Sequence, residues 1–265
     1  MGGICFVVAL LPILLIPNTG DVYFSQLFYL VAACALIGLI DDTMAIRLDR
    51  NRGLRARTKF LFTALFAVMF LRSIGSAASV DVILQLPNYA MHVPHWLWLI
   101  LGIIAITGTI HAVNLTDGLD GLAAGAIIMP LATIGTVWAQ TSNGSWFPAA
   151  LEIGACLAFL IFNKYPAKLI MGDTGSLALG ALLSGIAILS GEMLLLVIVG
   201  FVFVAETLSV MLQVVYFKLT HGKRIFKMSP LHHHFELSGW PETKVTTRFW
   251  IASAVCSAVG LAIVR

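Results

Sequence analysis

What this sequence has least of is charge. Of its 265 residues only 11% are Asp, Glu, Lys or Arg, against about 25% in an ordinary soluble domain. With 59% hydrophobic residues, that deficit excludes a water-soluble globule with a charged shell. Cysteine is scarce too: Cys5, Cys34, Cys156 and Cys256 stand apart inside apolar runs with no CxxC pair. They read as small buried residues, which excludes a disulfide framework and a cysteine-ligated zinc site. The first apolar run lacks a basic flank and a cleavage pattern, so no signal peptide is expected. No soluble domain, internal repeat or low-complexity tract is present. The net charge is only +3 and no nucleic-acid partner is expected.

What the chain does have is uncharged runs of membrane-spanning length. Nine candidate spans fall at 2–17, 24–40, 59–78, 95–113, 122–140, 147–162, 175–190, 193–217 and 248–264. The expected fold is all-α: a polytopic membrane helical bundle of about nine transmembrane helices, forming one membrane-embedded domain over 1–265. Pro12 inside the first span is tolerated where neighbouring helices cover it. The span 193–217 is long enough to tilt or protrude. The loop 79–94, with Pro87, Asn88 and Pro94, could form a short hairpin.

Fourteen of the sixteen basic residues lie in the alternate segments 41–59, 163–174 and 218–248. The intervening loops hold none, and only Arg72 and Arg265 fall near the other face. This asymmetry places the basic loops in the cytoplasm. Tryptophans near span ends, Trp250 among them, read as an aromatic belt with no further role.

The strong polar clusters fall on that same side. Asp41-Asp42 ends the second span. Asn114-Leu-Thr-Asp117-Gly-Leu-Asp120-Gly121 ends the fourth, and a helical turn would put Asp117 and Asp120 on one face. Asn163 and Asp173 bracket the next basic loop, and His232-His233-His234 lies between the last two spans. Clustered carboxylates with amides suit a hard divalent ion, Mg²⁺ above all, which keeps waters and bridges substrate phosphates. Asp173 or Thr174 would also cap the seventh span. Three consecutive histidines rarely reach one metal, so phosphate or sugar contact suits them better than zinc. Glu206 lies inside the eighth span, where an acid is functional or paired, with no partner evident from sequence. Together the clusters make apparatus for a phosphate ester, open to one polar and one lipid substrate.

Asn114–Gly121, Met171-Gly-Asp-Thr-Gly-Ser-Leu-Ala-Leu-Gly180 and Ser229-Pro-Leu-His-His-His-Phe-Glu-Leu-Ser-Gly-Trp-Pro-Glu-Thr-Lys-Val245 resemble the phospho-N-acetylmuramoyl-pentapeptide transferases, in the polyprenyl-phosphate N-acetylhexosamine-1-phosphate transferase superfamily. Asp41-Asp42 and Gly53–Lys59 match as well. The resemblance implies transfer of phospho-N-acetylmuramoyl-pentapeptide from its UDP-linked form to undecaprenyl phosphate, giving lipid I and UMP with Mg²⁺. It implies a homodimer in the bacterial plasma membrane, with the active site on the cytoplasmic face. Carried over by position, Asp173 holds the metal. Asp41 or Asp42 acts on the lipid phosphate as base or nucleophile, and Lys59 faces a phosphate. Asn114, Asp117, Asp120 and Asn163 border the uridine and pyrophosphate. His232, His233 and His234 meet phosphate and sugar, His232 as a catalytic residue. Ile170 stands where the family can place a phenylalanine against uracil, and His111 where an asparagine is usual. The family has ten spans, so the chain is expected to lack the first. The competing readings are an N-acetylglucosamine-1-phosphate transferase to the same lipid, a divalent-ion transporter and an inactive truncated homologue.

The orientation is testable by cysteine labelling from outside intact cells. Residues placed at 81–92 should react, and residues placed in 41–59, 163–174 and 218–247 should not. The reverse pattern overturns the topology and the site together.

Overall fold

The computed structural model describes residues 2–15, 22–47, 53–75, 83–86, 89–141 and 144–264. Parts of several expected features lie outside these residues: 16–17 of the first span, 76–78 of the third, Arg50 and Arg52, Pro87 and Asn88, and Arg265. The chain is a helical bundle. Helix α1 (Ile4–Leu10) runs into a 3-10 segment, Leu11–Leu15, at Pro12, whose missing N–H cannot continue an α-helical ladder. Then follow α2 (Val22–Arg47), α3 (Ala56–Gly75), α4 (His95–Thr116), α5 (Leu122–Ala126), α6 (Ile128–Ala139), α7 (Phe147–Asn163), α8 (Gly172–Leu189), α9 (Leu195–Val199), α10 (Phe201–Leu219), α11 (Leu231–Glu236) and α12 (Glu242–Val264). Between α3 and α4 the expected hairpin is present as β1 (Ile83–Leu86) antiparallel to β2 (Tyr89–His92), with Ile83 opposite His92 and Leu86 opposite Tyr89.

Among the described residues, seven helical stretches are long and apolar enough to cross a membrane. The first and sixth expected spans are the shorter apolar helices Ile4–Leu14 and Phe147–Asn163. The 193–217 span is broken at Gly200 into α9 and α10. Several helices also run past the apolar limits set by sequence. Helix α2 extends to Arg47, so Asp41-Asp42 lies inside it rather than at its end. Its 26 residues span about 39 Å, more than the roughly 30 Å of hydrocarbon, so the last turns stand in the polar zone where charge is tolerated.

Helix α8 is the centre of the bundle. Every residue from Thr174 to Ile188 is buried, as expected of a helix covered all round. Small residues let its neighbours approach. A Cβ on Gly38 of α2 would overlap the backbone of Asp173, one on Gly180 would lie 2.6 Å from the Ile110 Cα of α4, and one on Gly3 would overlap Gly175. Close backbone contact of this kind is how membrane helices associate where lipid removes the hydrophobic drive. A second device covers Pro130 in α6. Proline leaves the carbonyl of Ala126 without its helical donor, and the Ser253 hydroxyl of α12 donates to it at 2.5 Å.

Gly180→Ala should therefore lower the thermal midpoint in detergent, by the equivalent of about 1–3 kcal/mol of overpacking. Gly108→Ala, where a Cβ meets nothing within 4 Å, should leave it unchanged or slightly higher. Equal midpoints for both variants would contradict the close α4–α8 contact.

Candidate active site

The glycine contact between α2 and α8 brings two acidic helix segments together, and α3 supplies the cation between them. The Lys59 ammonium lies 3.0 Å from Asp41 Oδ2 and 2.5 Å from Asp173 Oδ2. Asp41 is 7% exposed, and its Oδ1 accepts the backbone N–H of Leu54. From α4, Asn114 Nδ2 donates to Asp173 Oδ1 and to Ser176 Oγ, each at 2.9 Å. Four helices thus meet through four side chains, and each of those residues was singled out by sequence. Ser176 stood in the Met171–Gly180 motif without a role of its own, because a serine in an apolar helix carries no distinctive signal.

Asp41 and Asp42, adjacent on a helix, point about 100° apart. Asp42 turns to the start of α8. Its Oδ1 accepts the Asp173 N–H at 3.0 Å, and its Oδ2 accepts the Thr174 N–H at 3.2 Å and the Thr174 hydroxyl at 2.6 Å. The cap of α8 is therefore a carboxylate from another helix rather than Asp173 or Thr174. It answers both the orphan donors and the positive end of the helix dipole. Gly172, with φ 73°, sits where a Cβ would press on Asp42 Oδ2 at 2.6 Å.

Asp117 and Asp120 do not share a helical face. Helix α4 ends at Thr116, and 117–121 is a turn that leaves through Gly121 at φ 75°. Asp117 lies near Asp42 and Asp173. Burial first, then the charge of those two acids, pushes its carboxyl up to about 7. Asp120 instead binds backbone: its Oδ2 accepts the Ala167 N–H at 2.8 Å, while its own N–H donates to Glu242 Oε1 at 2.7 Å. Asn163 ties the same two segments, accepting from Gly121 N–H at 3.0 Å and donating to Leu169 O at 2.8 Å. Trp250 has more than a belt role, since its Nε1–H donates to Gly121 O at 3.1 Å. Ile170 stands open at 71% exposure on this joined loop.

The three histidines face three ways, as neighbours on a short helix must. His232 is fully buried, its backbone N–H donating to Glu206 Oε1 at 3.2 Å. This is the partner of Glu206 that the sequence left unnamed. His233 Nδ1 pairs with Glu236 at 2.7 Å, and His234 Nδ1 accepts the Lys227 N–H at 3.1 Å. Direct substrate contact by His232, expected from sequence, has no open ring atom to carry it here, whereas His233 is partly exposed.

A groove of about 640 Å³ opens beside Lys59, walled by Leu54, Phe60, Leu61 and Leu115 and lined also by Arg57 and His111. It presents an apolar trough with a cationic head. His111 Nε2 lies 3.0 Å from Thr63 Oγ1, and its ring stacks on Phe60.

Asp41, Asp42 and Asp173 can offer carboxylate oxygens within 4.8 Å of one another, the one set of possible metal ligands among the described residues. Three carboxylates against one ammonium leave two negative charges, with Asp117 held largely protonated below about pH 7. Hard oxygen donors and that charge fit a divalent cation.

A sequence profile of the family described as "Glycosyl transferase family 4" matches residues 24–191. The chain is 43% identical over 267 aligned positions to the phospho-N-acetylmuramoyl-pentapeptide-transferase of Heliobacterium modesticaldum, covering 98% of this chain and 82% of that protein. It is 43% identical over 277 positions to the protein of the same name from Staphylococcus saprophyticus, covering 98% and 83%. The counterpart in Halalkalibacterium halodurans is 46% identical over 220 positions, 81% of this chain and 66% of its own length.

Two outcomes follow from the geometry. Asp42→Ala removes the acceptor of two backbone donors and should destabilise the chain by about 1–2 kcal/mol, while Asp42→Asn, which keeps an acceptor, should lose much less. Thermal unfolding of both in detergent reads this, and an Ala variant as stable as the parent contradicts it. Asp117 is neutral in the fold below about pH 7 and ionises above it, so its stability penalty is absent below the ordinary carboxyl value of 3.8 and complete above about 7. A protonated-carboxyl infrared band lost with a midpoint near 7, and missing in Asp117→Asn, is the expected signature; a midpoint near 4 contradicts it.

Proposed function

The chain belongs to glycosyl transferase family 4 and, within it, to the phospho-N-acetylmuramoyl-pentapeptide transferases, and we propose how its own site carries out that transfer. The observation that carries the reading is Lys59 bridging Asp41 and Asp173, beside Asn114, at the head of an apolar groove. The phosphate of undecaprenyl phosphate attacks the sugar-bearing phosphorus of UDP-N-acetylmuramoyl-pentapeptide. The bond from that phosphorus to the bridging oxygen breaks, UMP leaves with the oxygen, and lipid I remains in the membrane. The site faces the cytoplasm of the bacterial plasma membrane, on the strength of the basic loops around it. The resemblance carries a homodimer with it.

The groove beside Lys59 takes the first prenyl units, with Lys59 and Arg57 meeting the phosphate. Lys59 is the cation able to follow an arriving phosphate, which frees Asp41 Oδ2 to accept the last phosphate proton. A phosphoryl group's second pKa near 6 puts that proton within reach of a carboxylate at neutral pH. Asp42 is held by the α8 terminus, so Asp41 is the acid for chemistry, as base or, if a phosphoenzyme forms, as nucleophile. Asp173 is the residue to hold Mg²⁺, with Asp41 and Asp42 close by, and Asn114 fixes its rotamer through Oδ1. When bound, Mg²⁺ supplies neutralisation of the diphosphate's negative charge. Asp117, Asp120, Asn163 and Ile170 border the nucleotide, the middle two by holding the loop that Ile170 stands on. His233 and His234 line the sugar side.

Purified chain in vesicles with undecaprenyl phosphate and Mg²⁺ should release UMP from UDP-N-acetylmuramoyl-pentapeptide and not from UDP-N-acetylglucosamine. Asp173→Asn should reduce that release by about 100-fold or more with little loss of stability. Release from UDP-N-acetylglucosamine instead would favour the sister transferase. Near-normal turnover of the Asp173 variant would remove the metal assignment.

A further inference from the structure

The histidine segment is joined to the acidic turn by a buried pair that the transfer chemistry leaves unused. Glu206 sits one and a half turns into α10 with no exposed surface, and His232 is likewise fully buried. Two atoms of His232 converge on one carboxylate oxygen. The backbone N–H donates to Glu206 Oε1 at 3.2 Å, and ring Nδ1 lies 3.2 Å from the same oxygen, off the axis of a hydrogen bond. A carboxylate beside Nδ1 favours the proton on that nitrogen and leaves Nε2 as the bare one. On the far side of the ring, Nε2 abuts Gly118, where a Cβ would overlap it. Glu206 Oε2 and both ring nitrogens of His232 are buried, with no hydrogen-bond partner among the described residues. The ring of His233 lies against the other face, with centroids 4.2 Å apart.

We infer that Glu206 is a positioning residue: through His232 it sets the 117–121 turn, and with it the placing of Asp117. The link runs α10, α11, turn. Glu206 holds the first turn of α11 by its backbone and orients the imidazole. The imidazole fills the space that Gly118 leaves open, and Gly118 adjoins Asp117 directly. Neither residue touches a reacting atom in this account. An acid deep in a membrane helix is expensive to keep unless it holds something, and here it holds the side chain that backs the turn at Gly118. The same chain of contact gives α10, which begins at the Gly200 break, a direct mechanical connection to the acidic turn.

This inference rests on the proposed transfer for its kinetic readout, and a structural readout stands apart from it. The test is a double-mutant cycle on the full chain in vesicles, with UMP release as the activity. Glu206→Gln is isosteric and keeps an acceptor. Glu206→Leu removes it. His232→Gln breaks the ring contact. Asp117 borders the pyrophosphate under attack, so Glu206→Leu should lower kcat by about 100-fold, as a misplacement of about 1 Å does, with KM for the nucleotide sugar changed less than about threefold. Glu206→Gln should lie between it and the parent. In the His232→Gln background, Glu206→Gln should change turnover less than about twofold, because the two act as one unit. Independent losses that multiply would overturn the inference, as would a Glu206→Leu variant with parental kcat. The second readout is ¹⁵N NMR of ring-labelled histidine. The parent should show one imidazole in the Nδ1–H tautomer that is lost in Glu206→Leu. Its persistence there would overturn the pairing even if the transfer reaction itself proved wrong.

Discussion

One ammonium group between two carboxylates organises this protein. Lys59 lies between Asp41 and Asp173, and those two acids can be that close only because Gly38 lets α2 reach the backbone of α8. Two buried or half-buried carboxylates repel, and the energy of that repulsion rises as water is excluded. The lysine offsets it and Asn114 fixes the geometry. The helix start adds a partial positive charge at Asp42. The site is therefore a balanced set of charges, with a small excess of negative charge suited to a divalent cation and a phosphate diester under attack.

The clustered acids divide by what they already hold. Asp42 caps α8 and Asp120 anchors the segment at Ala167. Among the described residues, Asp41 and Asp173 hold only side-chain partners besides the Leu54 N–H, and Asp117 is kept near neutrality by burial and its neighbours. In the proposed transfer, chemistry falls to the groups whose partners can leave. Helix-end hydrogen bonds, by contrast, hold the frame against which they move.

Much of this was legible in the sequence because the signals were local or compositional. The apolar runs marked nine helical positions, and Asp41, Lys59, Asn114 and Asp173 were named before they were seen to meet. Three things were not legible. Helix ends were placed too early, since α2 carries polar turns beyond the membrane and hydropathy stops where the hydrocarbon does. Asp117 and Asp120 were given one helical face, because spacing of three reads as helix and the αL turn at Gly121 is a backbone fact. The partners of Glu206, Asp42 and Trp250 lie 26, 131 and 129 residues away, and no periodicity reports a tertiary contact. Trp250 shows the limit well: a tryptophan at a span end satisfies the belt rule and hydrogen-bonds Gly121 as well.

The central claim is that Lys59 and a divalent cation compete for the Asp173 carboxylate. The direct measurement is Mn²⁺ affinity by electron paramagnetic resonance in the parent chain and in Lys59→Gln. The account predicts tighter Mn²⁺ binding in the variant, because a competing positive charge is gone, together with loss of UMP release. Unchanged or weaker Mn²⁺ binding in Lys59→Gln would contradict it.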